Sequence, residues 1–553
     1  MDALRGGLHA LGVGEGDRVA IVSGNRVEWA VVAFAAFGLG ANLVPMYEAQ
    51  RAEEWRFILA DCGASVVVGS KATIVEKLDA MRPDVATLRH VVALEGEPSD
   101  PRSYAALLAA GRTHPTPSRA PPGDAVACFV YTSGTTGKPK GVLLTHDNLT
   151  STVGASAVVF PLSPDDRTLS FLPWAHVYGQ VVEVHFLISR GASTAIASDV
   201  AKLMEELAEV RPTMLVAVPR IWNRIYSGVI AQMERKPRFI RALFKSAIAS
   251  ATRKNRGETL GALEAIQLAF ADRLIFAKIR AKLGGRLRYA LTASAAIAPH
   301  VAEMIDAMGI VVCEGYGLTE TSPVVTGNTP TSRRLGSVGK PIPGVRVTLD
   351  ESRGRSPGEG EIIVEGPNVM KGYHQRPEEN ASALLPSGAF RTGDLGRLDA
   401  DGFLYVTGRI KEQYKLENGK YVMPSPLEES LKLSPYISNV MLYGDNKPFN
   451  VAIVVLKADA LRAWAARSEV TLREDLAADP AVRRLIEGEL EASAKEFKPY
   501  ERPRAFALTL EDFTCAAGTL TPTLKIKRGA VIERHARAID ALYREASASE
   551  ATA

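Results

Sequence analysis

Cysteine is scarce: four residues in 553, Cys62, Cys128, Cys313 and Cys515, with no C-x-x-C pair among them. That spacing excludes a zinc ribbon and a disulfide framework, and it fits a reducing, cytosolic setting. Charge of one sign is also lacking. Lys plus Arg number 66 against 62 Asp plus Glu, a formal balance of +4. So small an excess over such a length argues against dedicated nucleic-acid binding. No basic segment followed by a long apolar run opens the chain, so no signal peptide is expected. The most apolar early stretch, Trp29 to Pro45, is broken by glycines and reads as a buried core helix rather than a membrane span. There is no internal repeat.

What is present is ordinary globular material in quantity. Hydrophobic residues make up 46% and charged residues 23%, and the length favours more than one domain. Short apolar runs ending in turn residues, "DRVAIVSGN", "ASVVVGS", "RHVVALEG" and "ACFVYTSG", alternate with helical patterns. The expected fold class is therefore α/β: parallel sheets covered on both faces, with ligands at the carboxyl ends of strands. From about 220 to 285 the pattern turns to long helices. From 344 to 409 it turns to short strands and turns, a β-rich subdomain. After 411 helices and strands return in a small, mobile α+β unit, so the expected division is 1–410 and 411–553. The polar tail after Tyr543 is expected to fray.

One stretch demands chemistry. "YTSGTTGKPKG", Tyr131 to Gly141, crowds three Gly, three Thr, one Ser and two Lys behind a predicted strand. A Walker A loop needs four residues between its glycines and Ser or Thr after its Lys. Here two residues separate Gly134 from Gly137, and Pro139 follows Lys138. The Walker reading fails, but the logic of a phosphate cradle survives. Glycines let the backbone approach, N–H groups and hydroxyls of Thr132, Ser133, Thr135 and Thr136 donate to oxygens, and Lys138 and Lys140 add positive charge.

This loop resembles the signature loop of the adenylate-forming superfamily, which holds acyl-CoA synthetases, peptide-synthetase adenylation domains and luciferases. The resemblance continues in order along the chain. "EGYGLTETSP" resembles the family's adenine and magnesium segment. It implies Tyr316 and Gly317 at the adenine, Thr319 at the α-phosphate and Glu320 on Mg²⁺, a hard cation that wants carboxylate and phosphate oxygens together. "FRTGDLG" implies that Asp394 accepts both ribose hydroxyls, and "YVTGRIKEQYKLENGKYV" places Arg409 near the ribose, Lys411 at a hinge between domains and Gly419 on the loop used in thioester formation. "LTPTLKIKR" implies Lys525 as the catalytic lysine, with Lys527 and Arg528 as electrostatic or structural neighbours, and Glu428 starts a helix near the end of the preceding pattern. "LTASAAIAP" resembles the strand end lining the adenine pocket, with Ala295 where the family more often has glycine. "FLPWAHVYGQVVE" resembles the segment between acyl tunnel and nucleotide. His176 within it fits either an acyl-site or phosphate-side residue, or a core histidine.

The subgroup most similar is the long-chain fatty acid–CoA ligases, whose tail motif and helical, basic insertion this chain shares. The resemblance implies ATP, Mg²⁺ and coenzyme A, and a fatty acid activated as acyl-AMP before transfer to CoA. Transfer to a carrier-protein thiol, or a non-catalytic relative that only binds acyl chains or nucleotide, remain the alternatives. Relatives begin some tens of residues ahead of "LHALGVGEGDRVAIVSGN", whereas Met1 here opens almost inside that helix. Either the native start lies further upstream or the chain is shortened, and the first subdomain is expected to be less stable than in relatives. Finally, 234–256 carries eight Lys and Arg against one acid, interleaved with Phe239, Ile240, Leu243, Phe244 and Ile248. This fits a solvated helical face, the commoner case, or a helix lying at the inner face of a membrane.

Overall fold

The computed structural model describes residues 1–132, 138–521 and 523–552, with side chains described through Glu545. Its first sheet has seven strands in the spatial order Gly372–Tyr373, Lys140–Thr145, Val126–Thr132, Asn42–Met46, Arg18–Val22, Val66–Gly69 and His90–Ala93. The five from Val126–Thr132 onward run parallel. Their composition explains this: Val66–Gly69 and Asn42–Met46 are buried at every position, as strands covered on both faces must be. Lys140–Thr145 turns back antiparallel to Val126–Thr132, so the glycine-rich loop joins two adjacent strands.

A second sheet sets Met214–Ala217, Tyr289–Thr292 and Val311–Tyr316 in parallel, with two short antiparallel strands beyond. The β-rich region is a four-stranded antiparallel sheet, Arg346–Asp350, Gly360–Glu365, Phe390–Leu398 and Leu404–Arg409. In the last part of the chain Ile437–Tyr443, Asn450–Leu456 and Pro503–Thr509 form a mixed sheet packed by helices. The α/β class and the β-rich insertion are as expected from the sequence.

One expectation is modified. The apolar stretch from Trp29 to Pro45 is not one helix. The helix Val27–Phe37 stops at Gly38 and the chain re-enters the core as the strand Asn42–Met46. The polar tail after Tyr543 falls in the helix Ala536–Thr552, which Ile539 and Leu542 anchor ahead of it in a core with Phe449 and Val451. At the other end, Leu4 and Leu8 are buried, so the opening helix Asp2–Ala10 is part of the core of the first sheet.

Arg528 is engaged within the last part of the chain. Its guanidinium takes both carboxylate oxygens of the buried Glu428, at 2.7 and 2.5 Å, and Glu428 also accepts the Leu442 N–H at 2.7 Å. This fork pins the segment that carries Lys525 and Arg528 to the helix Pro424–Leu431.

Candidate active site

The centre of the site is a carboxylate shared between two sheets. The strand Val311–Tyr316 ends in Tyr316, whose hydroxyl donates to Asp394 at 2.8 Å. Asp394 lies opposite Arg409 in the register of the antiparallel sheet, and the Arg409 Nε reaches its other oxygen at 2.9 Å. Asp394 is only 2% exposed. That burial raises its carboxyl above the usual range, and Arg409, Tyr316 and Lys525 pull it back. The Asp394 charge in turn holds the Arg409 guanidinium more firmly protonated.

The backbone turns sharply just after Tyr316. Gly317 is required there: a Cβ on it would lie 1.6 Å from the Pro323 carbonyl oxygen. The turn Thr319–Thr321 follows, with Thr319 buried. Glu320 accepts the Tyr373 hydroxyl at 2.9 Å. Tyr373 sits on the edge strand paired with Lys140–Thr145, and the Lys140 ammonium lies over its ring at 5.4 Å and 3.3 Å from Glu379. The base of the glycine-rich loop is therefore tied to the Thr319–Glu320 turn through one tyrosine. Thr132 and Lys140 pair across the base of the loop, and the Lys138 ammonium stands 5.7 Å over Phe57. Ser133, Gly134, Thr135, Thr136 and Gly137 lie outside the described residues.

The last part of the chain closes over this centre. Lys525 is held on a turn in which its N–H donates to the Thr521 hydroxyl at 3.0 Å and its carbonyl accepts the Thr521 N–H at 2.8 Å. The Lys525 side chain is exposed to solvent, yet protein packs densely around its ammonium. That crowding, with Arg409 beside it, lowers its pKa to about 8 against the opposing pull of Asp394, Glu412 and Glu320. Lys527, two residues on, reaches Glu54 of the helix Ala52–Cys62 at 3.5 Å and so links the last part of the chain to the first.

His176 faces the same space. Its Nδ1 accepts the backbone N–H of Tyr178 at 3.1 Å, so the neutral ring carries its proton on Nε2. Burial and the Lys525 charge push its pKa down to about 4. At neutral pH it is an uncharged hydrogen-bond donor beside Lys525.

Other sequence-derived positions stand apart. Ala295 is exposed on the loop after the strand Tyr289–Thr292. Lys411 is exposed on the connection after Arg409. Gly419 occupies an exposed turn at φ +83°, its N–H bonded to the Leu416 carbonyl at 2.9 Å; a side chain there is strained. Sequence reasoning overlooked Tyr373, Glu412 and Glu314. Glu412 approaches Arg409 at 3.9 Å. Glu314 stands first in "EGYGLTETSP", and the structure buries it and raises its pKa to about 7, with the Ile297 N–H at 3.2 Å as a counterweight. It thereby ties the Ala295 loop to the strand carrying Tyr316.

The family model described as AMP-binding enzyme matches residues 1–374. A second, described as AMP-binding enzyme C-terminal domain, matches residues 411–547. The chain is 35% identical to the long-chain-fatty-acid–CoA ligase FadD15 of Mycobacterium bovis, over 97% of this chain and 90% of that protein. It is 33% identical to the peroxisomal long chain acyl-CoA synthetase 7 of Arabidopsis thaliana, over 99% of this chain and 81% of that one. Among solved structures, the adenylation domain of a carboxylate reductase from Mycobacterium chelonae superposes with a TM-score of 0.79 at 22% identity, covering 98% of this chain and 83% of that one. It shares the fold. Tyr316, Asp394, Arg409 and Lys525 thus converge in a chain that belongs to the AMP-binding enzyme family and, within it, to the long-chain fatty acid–CoA ligases.

Proposed function

We propose that the chain activates a long-chain fatty acid with ATP and passes the acyl group to coenzyme A. A carboxylate is a poor electrophile because of its charge and its poor leaving group. Its oxygen attacks the α-phosphorus of ATP, the bond to pyrophosphate breaks, and acyl-AMP forms. The CoA thiolate then attacks the acyl carbonyl, and AMP leaves. The observation that carries this reading is that the charge of Lys525, from the last part of the chain, falls within the field of Asp394 and Arg409 of the four-stranded sheet and of Glu320 in the turn Thr319–Thr321.

In this reading Asp394 and Arg409 hold the ribose, Tyr316 and Gly317 border the adenine with Ala295, and Thr319 donates to the α-phosphate. The loop from Thr132 to Lys140 covers the departing pyrophosphate. Lys525 stabilises charge between carboxylate and α-phosphate, and the Nε2–H of His176 donates on the same side. Residues 1–410 and 411–553 act as two domains. Lys411 serves as the hinge that withdraws Lys525 and brings Gly419 inward for the thioester step.

Glu320 fits a Mg²⁺ ligand. Such an ion takes one or two carboxylates and completes its shell with substrate phosphates and water, and Glu320 offers one carboxylate beside the phosphate loop. Bound there, Mg²⁺ would neutralise phosphate charge. Glu320→Ala should raise the Mg²⁺ concentration needed for half-maximal pyrophosphate release by about tenfold; an unchanged requirement removes Glu320 from the metal site.

The test of the whole reading is pyrophosphate release over acids of graded chain length, with and without CoA. Release that peaks with long-chain acids and turns over only with CoA supports it. Turnover without CoA, in the presence of a carrier-protein thiol, would reassign the acceptor.

A further inference from the structure

The helix Ala262–Ala271 breaks the ordinary pattern of a surface helix. Only Ala271 in it is buried. Leu263, Ile266 and Phe270, spaced for one face, are 70%, 66% and 59% exposed, and Phe239 on the neighbouring helix Arg238–Asn255 is 68% exposed. The one charge on Ala262–Ala271, Glu264, turns to the neighbouring helix, where it meets Ser250 and Arg253 at 2.8 Å each. The outward face is thus apolar by construction, and contiguous apolar surface of this kind marks an interaction site.

Its surroundings are basic. Residues 234–280 hold eleven Lys and Arg against four Asp and Glu. Glu258, Glu264 and Asp272 are committed to Arg253 and Arg280, while Arg235, Lys236, Arg238, Arg241 and Lys245 are exposed. A second copy of this chain on the same face would set one positive surface against another. An apolar centre ringed by excess positive charge is complementary to a bilayer bearing anionic headgroups.

We propose that this helical pair is a membrane-docking surface. Leu263, Ile266 and Phe270 enter the headgroup–acyl boundary, and Arg238, Arg241 and Lys245 meet anionic phospholipid. The apolar anchor is on Ala262–Ala271, outside the basic stretch 234–256 to which the sequence pointed. Among the described residues no helix is long and apolar enough to cross a membrane, so the docking is lateral.

Flotation of the full chain with vesicles tests this, using phosphatidylcholine alone and phosphatidylcholine with about 30% phosphatidylglycerol. The native protein should float with the anionic vesicles and detach as salt rises through about 0.5 M, where the Debye length has shrunk to a few ångströms. Leu263→Ser with Ile266→Ser and Phe270→Ser should weaken binding at least about tenfold, as should Arg238→Glu with Arg241→Glu and Lys245→Glu. Both variants should keep the native melting temperature and pyrophosphate release from a short, water-soluble acid. If the apolar variant misfolds, the charge variant decides alone. No flotation, or flotation equal in all three proteins, overturns the proposal. So does a native dimer that the apolar variant converts to monomer, or a loss confined to the apolar variant and indifferent to salt, which marks a protein partner. Binding is read without ATP, CoA or acid, so its failure leaves the ligase reading intact.

Discussion

Lys525→Ala should cut the rate of acyl-adenylate formation by about 10²–10³ while leaving most of the rate of thioester formation from supplied acyl-AMP. The asymmetry follows from charge. In the first step negative charge builds between the acid and the α-phosphate, where the Lys525 ammonium stands beside Arg409 and Asp394. In the second step the thiolate attacks the acyl carbon and the acyl–oxygen bond breaks to release AMP, so no bond to the α-phosphorus changes, and the proposed hinge has moved the lysine away. The pH dependence has a defined sign. Crowding lowers the Lys525 pKa to about 8, so the ammonium is present below that pH and is lost above it. In the adenylation half-reaction kcat/KM should fall as pH rises through about 8. The limb in kcat should lie higher, because bound ATP places anionic oxygens beside the ammonium and favours its charged form. Lys525→Arg, which cannot lose its proton in this range, should abolish the descending limb even where its rate is low. Equal loss in both half-reactions, or a limb that persists in Lys525→Arg, would sink the assignment. His176 adds no ascending limb between pH 5 and 7, because its ring is already neutral there.

The sequence carried those features whose physics is local. Runs such as Val66–Gly69 have no polar face to offer solvent, so a doubly covered parallel strand follows from composition alone. The order of short motifs from Thr132 to Lys525 likewise survives any error in the elements between them. Contacts across large separations were not legible. Nothing in the spacing says that Tyr373 reaches Glu320, or that Lys527 reaches Glu54; these depend on how three sheets meet. Glu314 was in plain sight, but a carboxylate raised to about 7 is a property of the cavity around it, not of its neighbours in sequence. Apolar periodicity has a limit of its own. It marks a face without saying what covers it, so the outward face of Ala262–Ala271 reads like core until its exposure is known.

The second large effect belongs to Asp394. Asp394→Asn keeps the shape and one acceptor but removes the charge that receives the Tyr316 hydroxyl at 2.8 Å and Arg409 at 2.9 Å. If the carboxylate also receives the ribose hydroxyls, the loss is about 2–3 kcal/mol, or ~10² in kcat/KM for ATP. A loss of that size could also arise indirectly, from Arg409 left without its partner. Nucleotide chemistry separates the two. The native enzyme should discriminate against 2′-deoxy-ATP, whereas Asp394→Asn should treat ATP and 2′-deoxy-ATP nearly alike, because the group that senses the hydroxyl is gone; the two changes then fail to add, as partners in one contact must. A penalty for 2′-deoxy-ATP that is undiminished in the variant would remove Asp394 from the ribose and leave it as a support for Arg409. The acid side offers an independent reading. Burial holds the Asp394 pKa above its usual range, so its charge is lost as pH falls through that raised value. kcat/KM for ATP should decline with it, and the decline should be absent in Asp394→Asn, where there is no carboxylate to protonate.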